Sequence, residues 1–252
     1  MLLAINSGNE FTDIGLFEDD KLSFRTQFVT PSAVTADEYT IKLQTMLGKR
    51  TLNGAVIADV SDIGAGVISE AVGRITNGGR IVVIGPGVKT GLNIRIDNPA
   101  ALGANLVAIA AGAAGSYGYP VITCDLSLST AFTVIDRDGI VRGGALVPGF
   151  NLSLRALSDN AAELPRVHVS ESAAYSVLGT NTESCMKSGI VYAAAAVIDG
   201  FVKRYKAILG EDAGVVLTGR YAKIASRYCE EQVVIDDTLV LNGLAAIYKR
   251  NT

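Results

Sequence analysis

The chain has no tryptophan, one histidine and three cysteines among 252 residues. A single histidine excludes a His-rich metal site, and a surface or partner-contact role is expected for His168. Cys124, Cys185 and Cys229 are odd in number and far apart. They fit reduced, small apolar residues of a cytoplasmic protein better than a disulfide framework or a thiolate metal site. No apolar run approaches the roughly 18 residues of a membrane span. Residues 1–6 lack a basic region and meet a polar turn at once, so they read as a buried strand and not as a signal peptide. With 22 Lys+Arg against 25 Asp+Glu, interspersed for a net charge of −3, no basic surface points to nucleic acid. What the chain does have is apolar residues (49%) and 27 glycines. That is enough to build one large domain or two medium ones with many tight turns.

The hydrophobic pattern predicts short strands over 2–5, 13–17 and 22–28, separated by the polar turns Asn6-Ser7-Gly8-Asn9 and Asp19-Asp20. Thr35 followed by Glu38 is a capping box, predicting a helix from there to about residue 47. A strand over 55–58, a helix over 67–75, a strand over 80–84 and an Ala/Gly-rich helix from Pro99 to 114 follow. The pattern then restarts. Residues 121–124 form an apolar strand entering the polar turn Asp125-Leu126-Ser127-Leu128-Ser129-Thr130. Strands over 132–135 and 140–146, a helix over 150–157, a long helix over 182–209 and a final strand–helix–strand–helix run complete it. Two copies of a βββαβαβ-like unit predict two similar α/β domains, 1–114 and 115–252. The Ala-rich runs 108–114 and 193–196 suit close helix packing.

Both apolar strands that end in Gly-, Asn- or Ser-bearing turns are candidates for phosphate contact. Such chemistry needs backbone N–H groups, small residues, hydroxyl donors and a metal-binding carboxylate. A single turn of this kind is commonly an ordinary hairpin; two at matching places in a duplicated chain strengthen the reading.

The segment Gly85-Pro86-Gly87-Val88-Lys89-Thr90-Gly91-Leu92, with Asp97-Asn98-Pro99 and Gly103-Ala104, resembles a signature of the type III pantothenate kinases. The resemblance runs over nearly the whole chain. It includes Thr35-Ala36-Asp37-Glu38-Tyr39, Gly143-Gly144, Pro148-Gly149, Leu164-Pro165-Arg166-Val167, Gly179-Thr180-Asn181-Thr182, Ser188-Gly189-Ile190 and Ile198-Asp199-Gly200, in the family's order and spacing. It implies a duplicated actin-like (ribonuclease H-like) α/β fold and a dimer. It also implies ATP between the domains, a divalent cation such as Mg and a monovalent one such as K. Pantothenate would sit at the subunit interface, with Gly103 lining its site and the residue at Thr182 reaching across. The family transfers the ATP γ-phosphate to pantothenate, a step toward coenzyme A.

Several positions depart from that family's pattern. The resemblance puts an Asp base where this chain has Asn105, and a neutral amide cannot accept a proton. Leu106 stands in place of an Arg, and Ile96 where a Tyr often lines the pantothenate pocket. In the first phosphate turn Asn6 replaces a metal-holding Asp and Glu10 a Thr, while Gly8 and Asn9 remain. In the second, Asp125 and Thr130 remain as metal and phosphate residues, with Ser129 beside them. There Ser127 replaces a Gly, whose dihedrals that turn was expected to need, and Leu128 replaces a hydroxyl. Near the adenosine, Thr218-Gly219 is followed by Arg220 in place of a Gly. These departures fall on nucleotide, metal, base and substrate groups at once. The expectation is a pseudokinase subunit with a degenerate ATP site, weak or inactive alone. It would form a homodimer, or a heteromer with an active pantothenate kinase paralogue. The alternative is an active, divergent kinase using another carboxylate. Neither a membrane nor a nucleic-acid partner is expected.

Overall fold

The structure, a computed structural model, describes residues 1–252 apart from the side chain of Asn77. It divides into two compact units, Met1–Ser116 with Thr238–Thr252, and Tyr117–Asp237. The last fifteen residues of the chain thus pack with the first unit and not with the residues that precede them.

In the first unit β1 (Leu2–Ser7), β2 (Phe11–Glu18) and β3 (Lys21–Val29) form an antiparallel meander. The β2–β3 turn is Asp19-Asp20 with φ of 47° and 65°. Two successive left-handed residues match the twist of a tight hairpin, and Asp tolerates that region better than most side chains. On the other side of β1 lie β4 (Leu52–Asp59) and then β5 (Thr76–Val83), both parallel to it, giving the order β3-β2-β1-β4-β5. α1 (Ala36–Leu47) begins at the predicted capping box. The Thr35 hydroxyl accepts from the Glu38 amide at 3.3 Å, and the Glu38 carboxylate accepts from the Thr35 amide at 2.9 Å. α1 and α2 (Ala65–Gly73) close a core of Leu3, Ile5, Ile14, Leu16, Tyr39, Leu43, Ile57 and Ile68.

Pro99 does not open the Ala-rich helix. It starts a single 3-10 turn (Pro99–Ala101), after a two-residue strand β6 (Asn93–Ile94), and α3 (Ala104–Tyr117) begins beyond a break at Leu102-Gly103. The missing N–H of Pro suits the first turn of a helix, so the pattern placed the start too early. α7 (Leu239–Asn251) packs on β1, β2 and β4 of the same unit and against α3. The α3–α7 approach is set by glycines. A Cβ on Gly243 would lie 1.8 Å from the Ala108 carbonyl oxygen, and one on Gly112 2.4 Å from that of Leu239. Backbone meets backbone there, which only glycine permits.

The second unit repeats the first. β7 (Val121–Leu126), β8 (Ser129–Ile135) and β9 (Ile140–Pro148) form the meander, and β10 (Gly214–Thr218) and β11 (Val234–Ile235) extend it in parallel from β7. The five strands of this unit lie in the order β9-β8-β7-β10-β11, matching β3-β2-β1-β4-β5 of the first unit. The duplication read weakly from hydrophobic periodicity is therefore present in the topology. The core joins Ile122, Cys124, Leu126 and Phe132 to α4 (Phe150–Asn160), α5 (Thr182–Leu209) and α6 (Ala222–Ser226). Phe150 stacks on Tyr221 with ring centroids 4.7 Å apart. By length and composition alone α5 is apolar enough to cross a membrane. Its buried residues Val191, Ala195, Ile198, Val202 and Leu209 form one stripe at helical spacing, the pattern of a core helix.

Candidate functional site

The first turn leaves β1 at Ser7 and returns at Phe11. Gly8 donates its amide to the Phe11 carbonyl at 3.0 Å, the same distance at which a Cβ there would meet that oxygen. Asn9 is exposed and Glu10 half-buried. Asn6 pairs with Asp13 on one side and Ala58 on the other. Its Oδ1 is buried and has no hydrogen-bond partner. An amide oxygen left so is costly, which marks Asn6 as a position whose polar atom has a use beyond the fold.

The equivalent turn of the second unit leaves β7 at Leu126. Asp125 is 7% exposed, and its Oδ1 accepts from the Ser127 hydroxyl at 2.6 Å. Thr130 is buried and Ser129 half-buried. Asp19 and Asp20 are the only non-glycine residues with positive φ among the described ones, so Ser127 sits here without the dihedrals that glycine alone tolerates. The expected backbone conflict at Ser127 is absent. Thr218, at the end of β10, lies in register with Asp125. Gly219 has φ 88° and passes so close that a Cβ would stand 2.5 Å from the Asp125 carboxylate. The parallel pairing of β7 with β10 thus assembles Asp125, Ser127, Thr218 and Gly219 at one end of a single sheet. Next to them Arg220, Tyr221, Asn151, His168 and Glu171 line a cavity of about 530 Å³. His168 is exposed, as expected, but it is also part of that wall.

A second cavity, of about 630 Å³, belongs wholly to the first unit. The signature segment makes most of it: Gly85 to Val88, Thr90, Ile94, and Asn98 through Ala104, with Val107 behind. The other wall is Asp59 and Val60, at the end of β4. Gly103 opens α3, accepting from the Val107 amide at 3.0 Å. Asn105 stands in the helix's first turn and is half-buried. A Cβ on Gly103 would lie 2.8 Å from the Asn105 Oδ1, so the amide folds back toward that glycine. Ile84 and Ile94 are the isoleucines on the wall; Ile96, Asn105 and Leu106 are not among the lining residues. Thr182 is exposed at the first position of α5 in the second unit, behind an Asn181/Ser184 capping box.

Asp59 was not singled out by the sequence reading. The only signal was a carboxylate closing a buried apolar strand, Ala55-Val56-Ile57-Ala58-Asp59. That became informative once the strand's end was placed on the cavity.

Two units of the same strand order, each an antiparallel meander extended by parallel strands, define the duplicated actin-like fold of sugar kinases and related ATPases. Solved structures agree. A putative Baf family transcriptional activator from Campylobacter jejuni aligns at TM-score 0.61 and 14% identity over 99% of this chain and 98% of its own. Component A of (R)-2-hydroxyglutaryl-CoA dehydratase from Acidaminococcus fermentans aligns at 0.56 and 14% over 98% and 96%. At such identities the likeness concerns the fold alone. Sequence relatives carry the rest. The family model described as type III pantothenate kinase matches residues 2–204. The type III pantothenate kinase of Halalkalibacterium halodurans is 35% identical over 259 residues, with both chains covered at 100%. That of Listeria monocytogenes is 34% identical over 263 residues, covering 100% of this chain and 98% of its own. The enzyme so named in Caulobacter vibrioides is 34% identical over 258 residues with the same coverage. The chain belongs to the type III pantothenate kinase family.

Membership in a family of ATP-dependent kinases implies ATP and a divalent cation. No group of three or more His, Cys, Asp or Glu gathers to hold a metal among the described residues. At the first turn the Asn6 amide oxygen is buried beside Ser7, and at the second turn, in the other unit, Asp125 is buried with Thr130. Each oxygen, taken within its own unit, suits a cation carried on a nucleotide's phosphates, which needs only one or two protein oxygens, and neither makes a resident metal centre.

Proposed function

We propose that this chain is a pantothenate kinase-like subunit impaired in its own chemistry, acting in the cytoplasm beside an active paralogue or in a binding role. Residue 105 carries this reading. It occupies the first turn of α3, beside a substrate-sized cavity, and it is an amide. An amide takes no proton from a hydroxyl at any useful pH, and loss of a general base costs about 10²–10⁴ in rate. Asn6 in the first turn and Leu128 in the second bring no charge and no hydroxyl to a phosphate. Thr182, which the family resemblance sends to a partner's substrate, stays exposed on a capped helix end. Along that helix the exposed residues Cys185, Gly189, Ala193 and Ala196 are small, which suits close approach of a second subunit's helix.

The test is release of ADP from ATP and pantothenate by the purified chain, alone and mixed with a co-encoded paralogue. The expected result is slow turnover alone and a paralogue rate that depends on this chain. Homomeric turnover at the about 1–100 s⁻¹ of ordinary kinases would sink the impaired-subunit reading. One observation favours the second reading, an active divergent kinase: a carboxylate, Asp59, on the wall of the cavity.

A further inference from the structure

We infer that Asp59 is the proton acceptor of the cavity in the first unit and carries whatever turnover the chain has of its own. The inference rests on reading that cavity as the substrate site of a pantothenate kinase-like protein.

The position comes first. Asp59 ends β4 and pairs with Ser7, the last residue of β1, while Asn6 pairs with Ala58. It therefore stands beside the strand that runs into the first phosphate turn. It also lines the cavity that Gly103 and Ala104 close from the other side. Its neighbour Val60 would be 3.7 Å from a Cβ on Gly103, the same point that lies 2.8 Å from the Asn105 Oδ1. Val60, the residue after Asp59, and the amide of residue 105 thus approach one glycine from two sides, and Asp59 and Gly103 line the same cavity.

The second argument is how the carboxylate is held. Ser61 donates to its Oδ1 twice, from the backbone amide at 3.1 Å and from the hydroxyl at 2.6 Å. The Ser61 hydroxyl is 3.0 Å from that of buried Ser7. One oxygen is anchored by this short relay, while Oδ2 accepts no hydrogen bond from any described residue. Asp59 is the one ionisable side chain on the cavity wall, and no Lys or Arg pairs with it among the described residues. From α1, Tyr39 also faces it. Burial above all keeps that phenol protonated, with the charge of Asp59 adding to the effect. Asp62, three residues on, is exposed. A carboxylate oriented through one oxygen and open at the other, in a cavity of substrate size, has the arrangement of a general base.

The step balances simply. A substrate hydroxyl loses its proton to Asp59 Oδ2 as its oxygen bonds to the γ-phosphorus of a nucleoside triphosphate. The bond from that phosphorus to the β-phosphate oxygen breaks, and the nucleoside diphosphate leaves with the electron pair. Ser61 and Ser7 act only through Asp59 and are positioning residues.

The test uses the full chain with ATP, Mg²⁺ and pantothenate. Asp59→Asn is expected to lower kcat by about 100-fold or more. It should leave the calorimetric affinity for pantothenate nearly unchanged and remove the acidic limb of the kcat–pH profile. Asn105→Asp in the Asp59→Asn background is expected to restore turnover. Should Asp59→Asn not fold, Ser61→Ala decides. Losing a donor to the charged carboxylate must move the acidic limb to higher pH. Turnover and pH profile unchanged in Asp59→Asn, or an unmoved limb in Ser61→Ala, overturns the role of Asp59. Pantothenate binding with no turnover at all overturns it too, and leaves the impaired-subunit reading standing. Ordinary kinase rates abolished by Asp59→Asn do the reverse.

Discussion

Gly243→Ala tests the packing that places the candidate site. The added methyl would stand 1.8 Å from the Ala108 carbonyl oxygen and 2.9 Å from the Gly112 amide nitrogen. These are backbone atoms of α3, so no rotamer change relieves the clash. Restoring a normal contact near 3.5 Å requires α3 and α7 to part by roughly 1.7 Å. Overpacking costs about 1–3 kcal/mol, and a rigid backbone obstacle belongs at the upper end. Ala gains about 1 kcal/mol over Gly in a helix, leaving a net loss of about 2 kcal/mol. For a protein of this size that lowers Tm by about 4–8 °C. The control is Gly115→Ala in α3 itself, exposed and with nothing within 4 Å of the new Cβ. It should hold or raise Tm. Because α3 carries Gly103 to Val107 at its start, Gly243→Ala should also weaken pantothenate binding by calorimetry while Gly115→Ala does not. A Tm for Gly243→Ala at or above that of the wild type would refute the backbone contact and the reasoning built on it.

Other outcomes follow from single residues. Asn105→Asp in the otherwise unchanged chain is expected to raise homomeric ADP release, by less than the about 10²–10⁴ of a wholly missing base because Asp59 already takes the proton; an unchanged rate would remove residue 105 from the chemistry. Burial foremost, with the charge of Asp199 adding, pushes the Cys229 thiol up to about 12. At pH 8 only about one molecule in 10⁴ then carries the thiolate there, so iodoacetamide should leave Cys229 unlabelled in the folded protein. Cys124, buried and raised for the same first reason, should behave alike, and mass spectrometry showing either modified at the unfolded rate would contradict this. The Glu38 carboxyl is held below its usual range by the Thr35 backbone amide first and the Thr35 hydroxyl second. A lowered folded value means its contribution is present above the unfolded range and lost as pH falls through the folded value. Urea midpoints measured between pH 6 and pH 3 should therefore fall less steeply for Glu38→Gln. Equal slopes would show that the capping box adds nothing to α1.

Much of the fold was legible because its signals are local. The capping box at Thr35 and Glu38 announces α1 within four residues. The apolar strands 2–5 and 121–124, each running into a polar turn, announce the repeat. Errors arose where two local signals disagreed or where the outcome depended on distant partners. Pro99 is a fair helix opener, yet Leu102-Gly103 interrupts the turn it starts, and α3 begins at Ala104. Ser127 looked strained because a Gly was expected there, but the turn it makes uses ordinary dihedrals.

The amino-acid sequence alone determined the family, the duplication and the amide at residue 105. Those reside in residue identity and short-range periodicity, which survive without any knowledge of what packs on what. Tertiary structure decided that 238–252 returns to the first unit, where Gly243 meets Ala108 and Gly112 across more than a hundred residues of chain. It also decided that Asp59 shares a cavity with Gly103. That placement needs the parallel register of β4 on β1, which no nearby residue encodes. It follows from burying both faces of a strand in one core, a condition the whole domain satisfies together.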